Sequence, residues 1–151
     1  MAIPPRKIFR SNVADEDERV AIGIDLPLVK PNGAPFPQTR LTIEAAAANL
    51  KNLILTRKGE RPMHPNFGTN IYDSLFDQNV EGLHASIEQA ISEAAAFWLP
   101  YISIENLVVE TADKRYGFDD RFNGVRVAID FTLAGNTFQE NSIVVIIGGV
   151  E

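Results

Sequence analysis

The 151-residue chain has no cysteine, only two histidines, and one tryptophan, Trp98. The missing thiols exclude disulfides and thiolate metal sites and permit a reducing compartment. Basic residues are also in deficit. Fourteen Lys and Arg face twenty Asp and Glu, for a net charge of −6. A nucleic-acid binder needs a basic surface to displace counterions, so that class is disfavoured. No apolar run approaches the roughly 20 residues of a membrane span, and the run Ile143–Ile147 covers five. The opening MAIPPRKIFR has two prolines and no apolar core, unlike a signal peptide. A soluble chain is expected, without nucleic acid or membrane among its partners.

Recognisable chemistry is sparse as well. No GxxxxGK[ST], GxGxxG or GxSxG occurs, so neither phosphate cradle nor nucleophile elbow is present. His64 and His84 lack the spacing of a metal or catalytic pair; His64 reads as a loop histidine held by ring packing or a loop hydrogen bond, and His84 as a surface or partly buried helix residue. A glycosidase needs two carboxylates flanking a sugar bond. Glu60 with Asp73 or Asp77 is the pair to test, against the plainer role of Glu60 as a loop-ordering partner of Arg57, Lys58 or Arg61. No catalytic residue, metal ligand or cofactor is assigned.

What is present is a mix that is 45% hydrophobic and 23% charged, enough for one core. Six of nine prolines fall within residues 1–40 (Pro4, Pro5, Pro27, Pro31, Pro35 and Pro37), which predicts an extended N-terminal arm. Within it Val20, Ile22, Ile24, Leu26 and Leu28 alternate, predicting a strand-like piece with one buried face that orders against a neighbour. Residues 41–151 form the predicted domain. Leu41, Ile43, Leu50, Leu53 and Ile54 place a helix over Thr42–Arg57, capped by Thr39 or Thr42 and ended by Gly59. The loop Gly59–Gly68, with two prolines, opposes helix and strand alike. A short helix over Asn70–Phe76, with Ile71, Leu75 and Phe76 inward, precedes a long one over Val80–Trp98 that stops at Pro100.

The period then changes. Ile102 and Ile104, then Leu107 and Val109, predict a strand with a bulge at Glu105–Asn106. A longer exposed loop is expected over Lys114–Asn123. Val125, Val127, Ile129, Phe131 and Leu133 predict a half-buried strand, and Ala134-Gly135-Asn136 a hairpin into the last one. In that strand Ile143, Val144, Val145, Ile146 and Ile147 are apolar on both faces, so its second face calls for cover by another element or chain. The predicted fold is α+β: two main helices on an antiparallel sheet of about three strands, with the extended arm.

Residues Leu50–Asp77 contain helix–Thr56-Arg57-Lys58-Gly59-x-Arg61-Pro62-x-x-Pro65-x-Phe67-Gly68–helix. This pattern resembles the small baseplate wedge family of contractile-tailed phages, which has a T-even phage member and a type VI secretion counterpart. The likeness is best over residues 41–110, looser through the last strands and poor in the first 40, and it is closest to T-even-like members. It implies a structural subunit, not an enzyme, of the virion tail baseplate, assembled in the host cytoplasm. It further implies larger baseplate wedge proteins, the tail sheath protein and the tail tube as partners. The family-motif loop would be Arg57, Gly59, Glu60, Arg61, Pro62, Pro65, Phe67 and Gly68. The sheath would begin by strand addition at the edge Ile143–Ile147, so that removing Ile143–Glu151 leaves the baseplate but prevents sheath attachment. Where many members have Glu-Pro-Arg at the end of the second long helix, this chain has Leu99-Pro100-Tyr101. A wedge-bundle contact there would rest on Trp98, Leu99, Pro100 and Tyr101. Some members bear an older lysozyme-related label, which leaves a peptidoglycan hydrolase with Glu60 as acid as the alternative.

Overall fold

The computed structural model describes residues 19–28, 36–75, 80–111, 122–134 and 136–150. Helix α1 spans Thr42–Leu55 and buries Ala46, Ala47, Ala48, Leu50, Leu53 and Ile54. The alanines keep one side of the helix thin, so its backbone lies close to the sheet. Its start is not a threonine cap. Leu41 occupies the N-cap without a side-chain bond, and Glu44 instead reaches back to accept from the Arg40 amide at 3.4 Å. Thr39 is committed elsewhere: it is 2% exposed in a small strand. The helix ends two residues earlier than predicted, at an extended Thr56 that donates its Oγ1 to the Asn52 carbonyl at 2.6 Å. Gly59 lies beyond, in the following turn.

Helix α2 covers Ile71–Leu75, with Ile71 fully buried; Phe76 and Asp77 lie outside the described residues. Helix α3 runs Val80–Trp98, the predicted bounds, and puts Ile87, Ile91, Ala94 and Ala95 into the core.

Strands β3 (Ile102–Thr111), β4 (Phe122–Leu133) and β5 (Asn136–Val150) form an antiparallel sheet in the order β3-β4-β5. The β3 register slips between Ile104 and Asn106, at the expected bulge. The extra residue keeps Leu107 and Val109 on the same face as Ile102 and Ile104, which is why the alternation skips a beat. Thr132 Oγ1 donates to Glu105 Oε1 at 3.0 Å, so the bulged carboxylate covers a threonine that is 3% exposed. At the other end Leu133 pairs with Asn136 and Thr132 with Glu140. The β4–β5 turn is therefore tight but followed by an irregularity over 137–139. The predicted Lys114–Asn123 loop falls largely outside the described residues, and β4 already begins at Phe122.

The helices lie on one face of this sheet, α1 against β5 and α3 against β3. The layer between them holds Val125, Val127, Ile129, Phe131, Ile143, Val145 and Ile147, none more than 4% exposed. This is the predicted α+β architecture, the expected short helix included.

Among residues 1–40, the described part contains β1 (Gly23–Ile24) paired with β2 (Gln38–Thr39). This pair is laid against α1: Lys51 Nζ donates to the Leu26 carbonyl at 3.0 Å. The strand-like reading of Val20–Leu28 shrinks to a two-residue strand. Val20, Ile24 and Leu28 are 52%, 56% and 63% exposed while Ile22 and Leu26 are half-buried, and at Gly23 the ladder lies against Ala45 of α1. Residues 1–18 and 29–35, where the arm was expected, lie outside the described residues.

Candidate functional site

Residues 56–70 leave α1 and return to α2 by a path fixed by their own backbone bonds. The Thr69 amide donates to the Thr56 carbonyl at 2.9 Å, and Arg57 and Thr69 form a parallel bridge. Thr69 Oγ1 donates to the buried Ile54 carbonyl at 3.0 Å. Within the loop the Gly59 amide donates to Pro65, His64 to Arg61, and Phe67 to His64. Gly59 and Gly68 both have positive φ, +90° and +110°. At Gly68 a Cβ would run into the Thr56 carbonyl, so this glycine is required by both conformation and space.

Glu60 orders the turn as expected, by a different bond. Its Oε2 accepts from the Arg57 backbone amide at 3.0 Å, which leaves the arginine side chains for aromatic faces. The Arg57 guanidinium sits 4.2 Å from the Tyr72 ring centroid and that of Arg61 4.0 Å from Phe67. Arg61 also donates to Asn52 Oδ1 at 3.3 Å. Asp73 is exposed on α2, and no group of three or more His, Asp or Glu among the described residues could hold a metal ion.

The loop is joined to the end of α3 through Trp98. Its ring meets Phe67, Phe97 and His64 edge-on, at centroid distances of 5.2, 5.1 and 6.3 Å. Of the two roles read for His64, the ring contact is the one seen, on Trp98 from an exposed position, and His84 is exposed on α3. This junction leaves two large apolar side chains in solvent, Met63 at 86% and Phe97 at 74% exposure. Neither was picked out from the sequence. Phe97 did carry a signal, since it falls off the apolar stripe of α3 that Trp98 completes.

Of the four residues at the helix end, Leu99 is buried and the other three keep exposed surface. Trp98 is half-buried against the loop and Pro100 is exposed. Leu99 is 7% exposed, part of the core, and offers no surface for a contact. Its amide still bonds Ala95 and its carbonyl accepts from Ile102, so the chain turns there directly into β3. Tyr101 faces α1 instead, where its hydroxyl accepts from Asn49 Nδ2 at 3.0 Å.

The third region is the far face of the sheet. Along β5, Ile143, Val145 and Ile147 point into the core, whereas Val144 and Ile146 are 47% and 46% exposed. Val108, Ala128 and Val144 are cross-strand neighbours in one row, and Glu110, Arg126 and Ile146 in the next. Arg126 and Glu110 form an ion pair at 2.7 Å. Two residues toward the hairpin, a polar cleft of about 420 Å³ is lined by Glu105, Asn106, Asp130, Glu140, Asn141 and Ser142. As the last strand in the order β3-β4-β5, β5 has a neighbour on one side only among the described residues.

The family of baseplate wedge protein gp25 matches residues 43–137 of the chain. A search among curated proteins finds no match. Among solved structures, a tail lysozyme-like protein of Geobacter sulfurreducens is similar at 23% identity and a TM-score of 0.59. That likeness covers 70% of this chain and 89% of the other. A chain of the anti-feeding prophage baseplate is similar at 22% identity and a TM-score of 0.58, over 76% and 86% of the two chains. A chain of the type VI secretion baseplate complex is a looser likeness, at 15% identity and a TM-score of 0.49, over 66% and 87%.

Proposed function

The chain belongs to the baseplate wedge protein gp25 family, structural proteins of contractile-tail baseplates, and from that premise we propose that it is a non-enzymatic wedge subunit on which the tail sheath begins. The observation that carries this reading is β5, an edge strand that is apolar on both faces. Such an edge offers a row of free backbone donors and acceptors, and strand addition uses them for affinity. The sheath protein supplies the added strand. The wedge side is the junction of loop and α3, where Met63, Phe97, Trp98 and Arg61 make an aromatic and cationic surface of the kind that anchors interfaces. Larger baseplate wedge proteins are the partners there.

Removing Ile143–Glu151 would be a poor test, because Ile143, Val145 and Ile147 belong to the core. The cleaner variant is Val144→Lys with Ile146→Lys, which charges the edge strand from its exposed face and leaves the inward residues in place. Particles assembled with this variant should retain the chain in the baseplate and lose stable sheath in electron micrographs. Full-length sheaths on such particles would refute strand addition. Loss of the chain from the baseplate would instead place the wedge contact on the sheet.

A further inference from the structure

The far face of the sheet has a charge pattern as well as an apolar one, and the chain contains a segment that matches it. Val108, Val144 and Ile146 are 38%, 47% and 46% exposed. The cleft beside them has three carboxylates among its lining residues, Glu105, Asp130 and Glu140, and no Lys or Arg. In the register, the row Val108–Ala128–Val144 is two residues from the row Asn106–Asp130–Ser142, a spacing of about 7 Å. A segment that fits must therefore place apolar and basic side chains within two or three residues of each other. Residues 6–10, Arg6-Lys7-Ile8-Phe9-Arg10, do so: the chain is −6 overall, yet its first ten residues contain three basic side chains and no acidic one.

We propose that residues 1–10 dock on the far face of their own sheet, with Ile8 and Phe9 over Val108, Val144 and Ile146 and with Arg6, Lys7 and Arg10 toward Glu105, Asp130 and Glu140. The described chain resumes at Arg19, and β1 is packed on α1, which itself lies over β5. The eight residues 11–18 provide up to about 28 Å of extended chain for the path from β1 around the β5 edge to the far face. Pro4 and Pro5 lower the entropy lost on ordering the segment. Docking on the face leaves the backbone groups of the β5 edge free, so this proposal stands independently of strand addition.

The chain has no cysteine, so introduced pairs can be read without ambiguity. Full-length protein carrying Phe9→Cys with Val144→Cys should form an intramolecular disulfide at least tenfold faster than protein carrying Phe9→Cys with Glu88→Cys, Glu88 being exposed on α3. Raising NaCl to 0.5 M should shrink that advantage severalfold, because screening then acts within about 5 Å. A second measurement needs no cysteine. Deleting residues 1–10 should shift the methyl resonances of Val108, Val144 and Ile146 and leave that of Met63 in place. Equal oxidation rates with unmoved methyls would give the face to a partner protein, and an interchain disulfide would give it to a second copy. Either result overturns the proposal, and neither bears on sheath attachment.

Discussion

Gly68 and Gly59 differ in one respect that the structure makes measurable. Both have φ in the left-handed region, +110° and +90°, so replacing either by alanine should cost about 1–2 kcal/mol in backbone strain. A Cβ at Gly59 meets nothing within 4 Å, whereas at Gly68 it meets the Thr56 carbonyl and comes within 3.1 Å of the Arg57 carbonyl carbon. Relief requires the 56–57 backbone to move, and the Thr69 amide bond to Thr56 moves with it. Losing that bond costs about 1 kcal/mol, and overpacking against a fixed backbone about 1–3 kcal/mol more. Gly68→Ala should therefore exceed Gly59→Ala by roughly 2–4 kcal/mol, a large share of the 5–15 kcal/mol typical of a domain. In a chain of this size that corresponds to a further fall in Tm of roughly 5–15 °C. Urea unfolding of both variants, followed by far-UV circular dichroism, gives the difference directly. Fluorescence of Trp98, the only tryptophan, reports the loop itself because its ring touches Phe67. If the two variants lie within 0.5 kcal/mol of each other, with unchanged urea dependence, the loop yields without cost and the spatial argument for Gly68 fails.

Two phenylalanines provide a burial contrast. Phe131 is fully buried and Phe97 is 74% exposed, so Phe131→Ala should cost about 3–5 kcal/mol and Phe97→Ala less than about 0.5 kcal/mol in the same urea titration. Despite that neutrality, Met63→Ser with Phe97→Ser should reduce co-purification of the chain with assembled baseplates by tenfold or more; unchanged incorporation would move the wedge contact elsewhere. The Arg126–Glu110 pair is only partly exposed, at 25% and 34%. A double-mutant cycle should give a coupling of about 0.5–1 kcal/mol that declines in 0.5 M salt, and a coupling insensitive to salt would contradict an ion pair open to solvent.

The loop was the most legible part of the candidate site. Its glycines and prolines restrict the backbone residue by residue, so sequence alone indicated a fixed path between two helices. The surface beside it was less legible. Leu99 looks like an anchor in a helix-end motif, yet it lies in the core because the chain turns into β3 immediately after it. Phe97 falls off the apolar stripe of α3, and it is solvent-exposed while the loop packs on its neighbour Trp98. Glu60 was correctly read as a loop-ordering group, but its partner is a backbone amide that no residue pairing could have named.

What the sequence determined by itself is whatever repeats within a few residues. The bounds of α3, the skipped beat in β3 and the clean alternation of β4 all follow from side-chain direction, which is set locally at periods of 3.6 and 2. It also determined that β5 is apolar on both faces. Only the tertiary structure decided what each apolar face meets. Ile143, Val145 and Ile147 are covered because α1 lies over them, while Val144 and Ile146 stay in water because no described element reaches the far side of the sheet. In the same way the alternation of Val20–Leu28 fixed which side chains share a side, and only the fold decided that Val20, Ile24 and Leu28 stay exposed while Gly23 lies against α1. Burial depends on residues remote in sequence, and local periodicity fixes which way a side chain points without fixing what is there to receive it.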